Sequence, residues 1–192
     1  MQRAVTPIVA TVLVIVGLLG IIVTASFVKP VVPTGTATSS GMDAMFIEQM
    51  IPHHNDAIEM AELALAQAEH PEIKQLAAAI KRTQTAENAQ MRTWYQEWFG
   101  TPVPDTGGLS SMMGGMMGAG VTDMAELEAA EPFDKAFIEA MIPHHQMAIM
   151  MSRMAGGASG RPEIRGLTSS IIEAQSAEID KMQAWYDEWY GR

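Results

Sequence analysis

The sequence predicts an all-α fold: a four-helix bundle made of two repeated helical hairpins, preceded by an N-terminal transmembrane helix. Three observations predict it. Hydrophobic residues make up 48% of the chain but aromatics only 6%, so Ala and Met supply much of the apolar surface, a bias that suits close-packed helices better than strands. Residues 43–100 laid over 134–191, at a constant offset of 91 and without a gap, agree at 27 of 58 positions, which marks an internal duplication. Within each copy the apolar residues recur at helical spacing in two stretches separated by a proline-led break.

Residues 1–29 read as a membrane anchor or uncleaved signal. Residues 4–28 carry no formal charge, with Arg3 before and Lys29 after, and that length spans a bilayer. A cleavable signal has a shorter apolar region and small residues at its cleavage point, a pattern that Val23-Thr24-Ala25 matches poorly. The few flanking cations favour a cytoplasmic N-terminus. The expectation is a single-pass protein of the cell membrane with its C-terminal part outside the cytoplasm, in periplasm or extracellular space. Residues 30–41 read as a Pro/Thr/Ser/Gly stalk.

The first hairpin occupies residues 42–100. Its first helix is expected over 43–69, with Ser40 and Asp43 spaced as a capping box. Its second starts near Pro71, which fits a first helical turn, and ends at Gly100. Residues 101–131, containing Ser-Met-Met-Gly-Gly-Met-Met-Gly, read as a Met/Gly-rich linker. The second hairpin, residues 132–192, repeats the pattern with helices over 134–155 and 162–191, and Gly156-Gly157-Ala158-Ser159-Gly160 reads as a looser turn. Pro52 and Pro143 fall inside the first helix of each copy, where proline kinks or restarts a helix.

Leaving Arg3 and Lys29 aside, ten cationic side chains face all 22 acidic ones, which speaks against nucleic acid as a partner. The chain has no cysteine. Stability must come from packing, and a soft-metal site would have to use thioether sulfur in place of thiolate.

The candidate chemistry lies at Met50-Ile51-Pro52-His53-His54 and Met141-Ile142-Pro143-His144-His145. Phe46, Met50, His53, Ala57, Met60 and Ala64 fall on one stripe, with Ile47, His54, Ile58 and Leu65 beside it, so both histidines face inward or nearly so. On the second helix Gln84 and Glu87 interrupt an otherwise apolar face. In an antiparallel hairpin turning near residue 70, Glu87 lies opposite His54, and Glu178 opposite His145. A lone histidine on such a face is most often a satisfied core residue. Two adjacent ones, flanked by methionine, repeated 91 residues on and opposed by Glu and Gln, favour ligands. The candidate metal ligands are His53, His54, Met50 and Met60, with His144, His145, Met141, Met151 and Met147. Glu87, Gln84, Glu178 and Gln175 are candidates for supporting those ligands from behind. Met150 and Met154, with Met112, Met113, Met116 and Met117 of the linker, are possible accessory thioethers, against the plainer reading of a low-complexity spacer. Met45, Met124 and Met91 read as core filler. His70, matched by Arg161 in the second copy, reads as a loop residue, and the Trp-rich ends of the second helices as closures of the bundle.

On these two motifs, with Ala57, Ile58 and Met60 and with Ala148, Ile149 and Met151, the chain resembles the bacterial domain of unknown function 305 family, including its CopM-like periplasmic copper-binding members. The resemblance covers both repeats. It implies a ferritin-like helical bundle, export, and binding of copper by Met and His. Asp56 stands where the second copy has Met147, so the two motifs are expected to differ in metal preference.

The function expected is that of a non-enzymatic, membrane-anchored metal-binding protein for copper tolerance, storage or delivery. Imidazole with thioether suits copper, Cu(I) above Cu(II), and silver should bind similarly. Two copper ions are expected, one per motif, with release below about pH 6 as the imidazoles protonate. Two alternatives are a structural or adaptor bundle of the cell envelope without metal, and a ferritin-like di-iron oxidase. The oxidase would need Glu-x-x-His pairs, and the sequence has none. No protein partner is indicated.

Overall fold

In the computed structural model, residues 34–104 and 123–191 are described, and all of their regular structure is helical. α1 spans Thr34–Gln67, α2 Pro71–Phe99, α3 Met124–Glu128, α4 Phe133–Ala158 and α5 Pro162–Tyr190. The expected anchor, residues 4–28, and the methionines Met112, Met113, Met116 and Met117 lie outside the described residues. Among the described residues no helix is long and apolar enough to cross a membrane.

α1 packs on α2 and α4 on α5, giving the two hairpins, and α1 packs on α4 to join them. Each hairpin turns at a proline that opens its second helix, Pro71 or Pro162, where a missing N–H costs nothing. Gly100 ends α2 with φ 75° and returns its N–H to the Gln96 carbonyl at 3.0 Å. That left-handed conformation is readily open to glycine.

The apolar residues sort into two clusters, each drawn from both hairpins. One joins Met60, Ala61, Ala64, Ile73 and Ala77 of the first hairpin to Phe137, Ile138, Met141 and Met182 of the second. The other joins Phe46, Ile47, Met50 and Met91 to Ala155, Ile164, Leu167 and Ile171. The turn end of one hairpin therefore packs with the open end of the other. The alanines let the helix axes approach closely, and the large side chains fill the rest.

The expected boundaries shift at four places. α1 begins at Thr34, inside the expected stalk, so Ser40 and Asp43 cap nothing; Asp43 is buried and paired with Arg161 Nε at 3.3 Å. The last part of the expected linker is helical: α3 is capped by the Asp123 carboxylate, which accepts from the N–H of Ala125 and Glu126, and Leu127 anchors it in the core. α1 and α4 run through Pro52 and Pro143 without a break. α4 also continues through Gly156 and Gly157 to Ala158. A methyl group at Gly156 would lie 2.6 Å from Thr168 Oγ1, so this glycine permits contact with α5 where the sequence suggested a turn.

The hairpin turns are latched to the opposite repeat. Asp134, at the start of α4, accepts from the backbone N–H of Glu69 at 3.1 Å and of His70 at 2.8 Å, and from His70 Nδ1 at 2.6 Å. The His70 ring stacks on Trp189, with centroids 3.7 Å apart. The symmetric position is built differently: Arg161 pairs with Asp43 and lies 4.1 Å over Trp98. His70 is thus a binding element of the fold, more than the loop residue its position suggested. Asp134→Ala should cost about 2–4 kcal/mol, because it strands two backbone donors as well as the ring. Urea denaturation checks this, and a loss below about 1 kcal/mol would show that water satisfies the freed groups.

Candidate metal centre

Halfway along the bundle, between the two apolar clusters, α1 and α4 bring all four motif histidines together. The rings of His53 and His144 are 3.8 Å apart between centroids and tilted by 37°, and His144 and His145 are 6.3 Å apart. The two motifs thus meet across the repeat interface, where the sequence suggested one separate site each. His54, His144 and His145 are buried at 0%, 1% and 0% exposure, and the ring nitrogens of the more peripheral His53 are buried too.

The facing register expected from the hairpin spacing is observed. His145 Nε2 donates to Glu178 Oε2 at 2.7 Å. His54 Nε2 lies 2.9 Å from Glu87 Oε2, but off the line of a hydrogen bond. Glu178 thus holds the outer nitrogen of His145, Glu87 lies beside that of His54, and the Nδ1 of each ring is left for another partner. Gln84 and Gln175 are also buried, but their Oε1 atoms have no hydrogen-bond partner, and both side chains line a cleft between α2 and α5.

Seven ring nitrogens in this centre are buried without a hydrogen-bond partner: both of His53, both of His54, both of His144, and Nδ1 of His145. Buried polar atoms in native proteins nearly always find partners, and exceptions point to a role. Burial is also the main reason that the His144 pKa falls to about 3 and that of His53 well below its ordinary value; the neighbouring imidazoles add to both shifts. Burial thus holds both rings toward the neutral form. Neutral imidazoles with free lone pairs are the form that a metal requires.

Thioethers flank the centre on both sides. Met50, Met91 and Met151 belong to one apolar cluster and Met60, Met141 and Met182 to the other, each trio drawn from both hairpins and matched by the repeat offset. Met50, Met60 and Met141 are fully buried, while Met147 and Met151 are partly so. Met150 and Met154 face outward at 38% and 60% exposure, too open to be core. Met45 is exposed as well, at 41%, contrary to its expected place in the core. Among the described residues no three His, Asp or Glu side chains are arranged to hold a metal ion, so the four histidines do not by themselves form a closed ligand set.

Asn88 is a polar neighbour that the sequence reading passed over. It is buried, and its Nδ2 donates to Asn55 Oδ1 at 2.9 Å. Its place one turn after Gln84 and before Met91 on the inward face of α2 was the available signal. The second copy has Ile179 there. Asp56, on the same side, has its pKa raised by burial and by the Glu59 charge. The first repeat is thus the more polar flank of the centre, and the second, with Met147 in place of Asp56, the richer in sulfur.

Comparison with known proteins agrees with this architecture. The solved structure of CopM in its Cu(I)-bound form is 49% identical, covers 78% of this chain and 98% of its own, and superposes with a TM-score of 0.68. CopM in an Ag-bound form is 48% identical over the same shares, with a TM-score of 0.69. A fragment from Deinococcus radiodurans, described as DUF305, is 27% identical, covers 77% of this chain and 96% of its own, and gives 0.67. An uncharacterized protein of Acanthamoeba polyphaga mimivirus is 42% identical over 55 residues, 29% of this chain and 36% of that protein's length. The family model "Domain of unknown function (DUF305)" matches residues 43–186, and the chain belongs to that family.

Proposed function

We propose that this protein is a non-enzymatic copper-binding protein of the cell envelope, held at the membrane by residues 4–28, and that its tight site is the single histidine centre shared by the two repeats. The observation that carries the reading is the set of seven buried, unpartnered ring nitrogens at the interface of the repeats. A structural bundle has no use for them, since each buried polar atom without a partner costs about 1–3 kcal/mol. Imidazole and thioether donors suit copper, Cu(I) foremost, and Ag(I) by the same softness. The similarity to CopM, whose structures include Cu(I)-, Cu(II)- and Ag-bound forms, supports the same choice. Copper bound here would be cargo, and the residues that would hold it are His53, His144, the Nδ1 sides of His54 and His145, and the flanking methionines. Replacing all four histidines with Ala should abolish tight copper binding while helicity is kept; unchanged binding in a copper titration would overturn the assignment.

Glu87 and Glu178 act through the histidines in this reading. A carboxylate accepting the outer N–H of an imidazole fixes its tautomer and raises its basicity. Glu87→Gln and Glu178→Gln should weaken copper by roughly 10- to 100-fold each, the scale of such outer changes. Competition titration with a Cu(I) chelator measures it. Wild-type affinity in both variants would show that the pairs serve only the fold, and complete loss would make the glutamates ligands.

A further inference from the structure

We propose that Cu(I) reaches the histidine centre along a run of thioethers on α4, from Met154 through Met150 to Met147, so that loading takes place through the second repeat. The inference rests on the copper reading above and adds a route to it. Met147, Met150, Met151 and Met154 are spaced so that each has another three or four residues away, where helix side chains are neighbours with Cβ atoms about 5–6 Å apart. Their exposure falls toward the centre: Met154 is 60% exposed and Met150 38%, Met147 and Met151 are partly buried, and His144, three residues before Met147, is 1% exposed. Thioethers thus lead from solvent to the edge of the buried imidazoles.

The duplication supplies a comparison inside the same molecule. Where the second copy has Met147, Met150 and Met154, the first has Asp56, Glu59 and Leu63, while Met151 is matched by Met60. Packing does not account for Met150 and Met154, whose side chains stand largely in water. Ligand chemistry does. A thioether is a soft donor that suits Cu(I) and Ag(I), it carries no proton that the ion must displace, and its rotatable bonds let it swing between partners. Transfer along the run exchanges one thioether for the next on the ion; no electron or proton moves, and copper arrives as Cu(I). The carboxylates of Asp56 and Glu59 are hard donors, so the first repeat offers no equivalent route. Met45, also exposed, has Glu48 and Gln49 at the neighbouring helix positions and so continues into no second thioether there.

The test is the rate at which the full chain takes Cu(I) from a coloured chelator complex, followed by stopped flow, set beside the equilibrium affinity measured with the same chelator. Met150→Leu with Met154→Leu keeps volume and helix propensity at two exposed positions, so the fold should be unchanged by circular dichroism. This variant should load roughly tenfold more slowly, within the one to three decades over which association rates of related complexes vary. Its number of tight equivalents and its affinity should stay those of the wild type, and release should slow by the same factor, because a route that lowers a barrier serves both directions. Met45→Leu should change none of these. Unchanged loading in the double variant, or equal slowing by Met45→Leu, would overturn the route. Weaker equilibrium binding in the double variant would overturn it as well, by making the two thioethers ligands. Failure of the copper reading gives a different result: the wild type itself then takes no tight Cu(I) from the chelator, and the route falls with it.

Discussion

Replacing His53 alone with Ala should remove the tight copper site of the whole protein, although His144, His145 and the entire second motif stay intact. The reason is geometric. The ring of His53 lies against that of His144, with centroids 3.8 Å apart, so in the proposed reading the two motifs contribute to one centre. The loss should exceed the roughly 10- to 100-fold of an outer-shell change, because a donor itself is gone. His144→Ala should have the same effect, as the repeat relation requires. Two independent sites would behave differently: one tight equivalent would disappear and the other would persist at unchanged affinity. Equilibrium competition for Cu(I), read as the number of tight equivalents per chain, decides between them. A retained half-stoichiometry in His53→Ala would refute the shared centre while leaving copper binding by each motif in place.

The sequence could deliver the hairpin but not the docking of one hairpin on another. Within a repeat, helix periodicity and the position of Pro71 fix which residues face each other, and this was enough to place Glu87 against His54 and Glu178 against His145. Between repeats, the register depends on how two similar apolar faces interlock, through Ala61, Ala64 and Ala77 on one side and Phe137 and Ile138 on the other. Nothing local encodes that, so the meeting of His53 with His144 was not legible. The latches were missed for a related reason. His70 and Arg161 are unlike residues in equivalent places, and comparing the repeats made each look incidental, whereas each binds a buried aspartate and covers a tryptophan ring. Gly156 misled because glycine has two structural uses: in a turn it supplies unusual dihedrals, and in α4 it supplies room for Thr168. Methionine was equally ambiguous, since burial of Met91 and exposure of Met45 depend on helix phase at a level that a flexible, weakly patterned side chain does not reveal.

Acid should destabilise the metal-free protein well above the range in which carboxylates titrate. In the unfolded chain His53 and His144 take up protons near pH 6.5, whereas in the folded protein burial, reinforced by the neighbouring imidazoles, holds His144 neutral down to about pH 3 and His53 well below its ordinary value. With the folded pKa below the unfolded one, the unfolded state binds more protons throughout the interval between them. Stability is therefore fully present above about pH 6.5 and is lost as pH falls, by about 1.4 kcal/mol per pH unit for each ring. The two together steepen the loss, to at most about 3 kcal/mol per unit. Urea denaturation at pH 7, 6 and 5 checks the slope before carboxylate protonation adds its own. His53→Gln with His144→Gln keeps a polar side chain of similar reach, removes both titrating groups, and should flatten the dependence between pH 6.5 and 5. Equal slopes in the wild type and that variant would mean that the two rings accept protons in the folded protein, and the water-excluded centre described above would then be wrong.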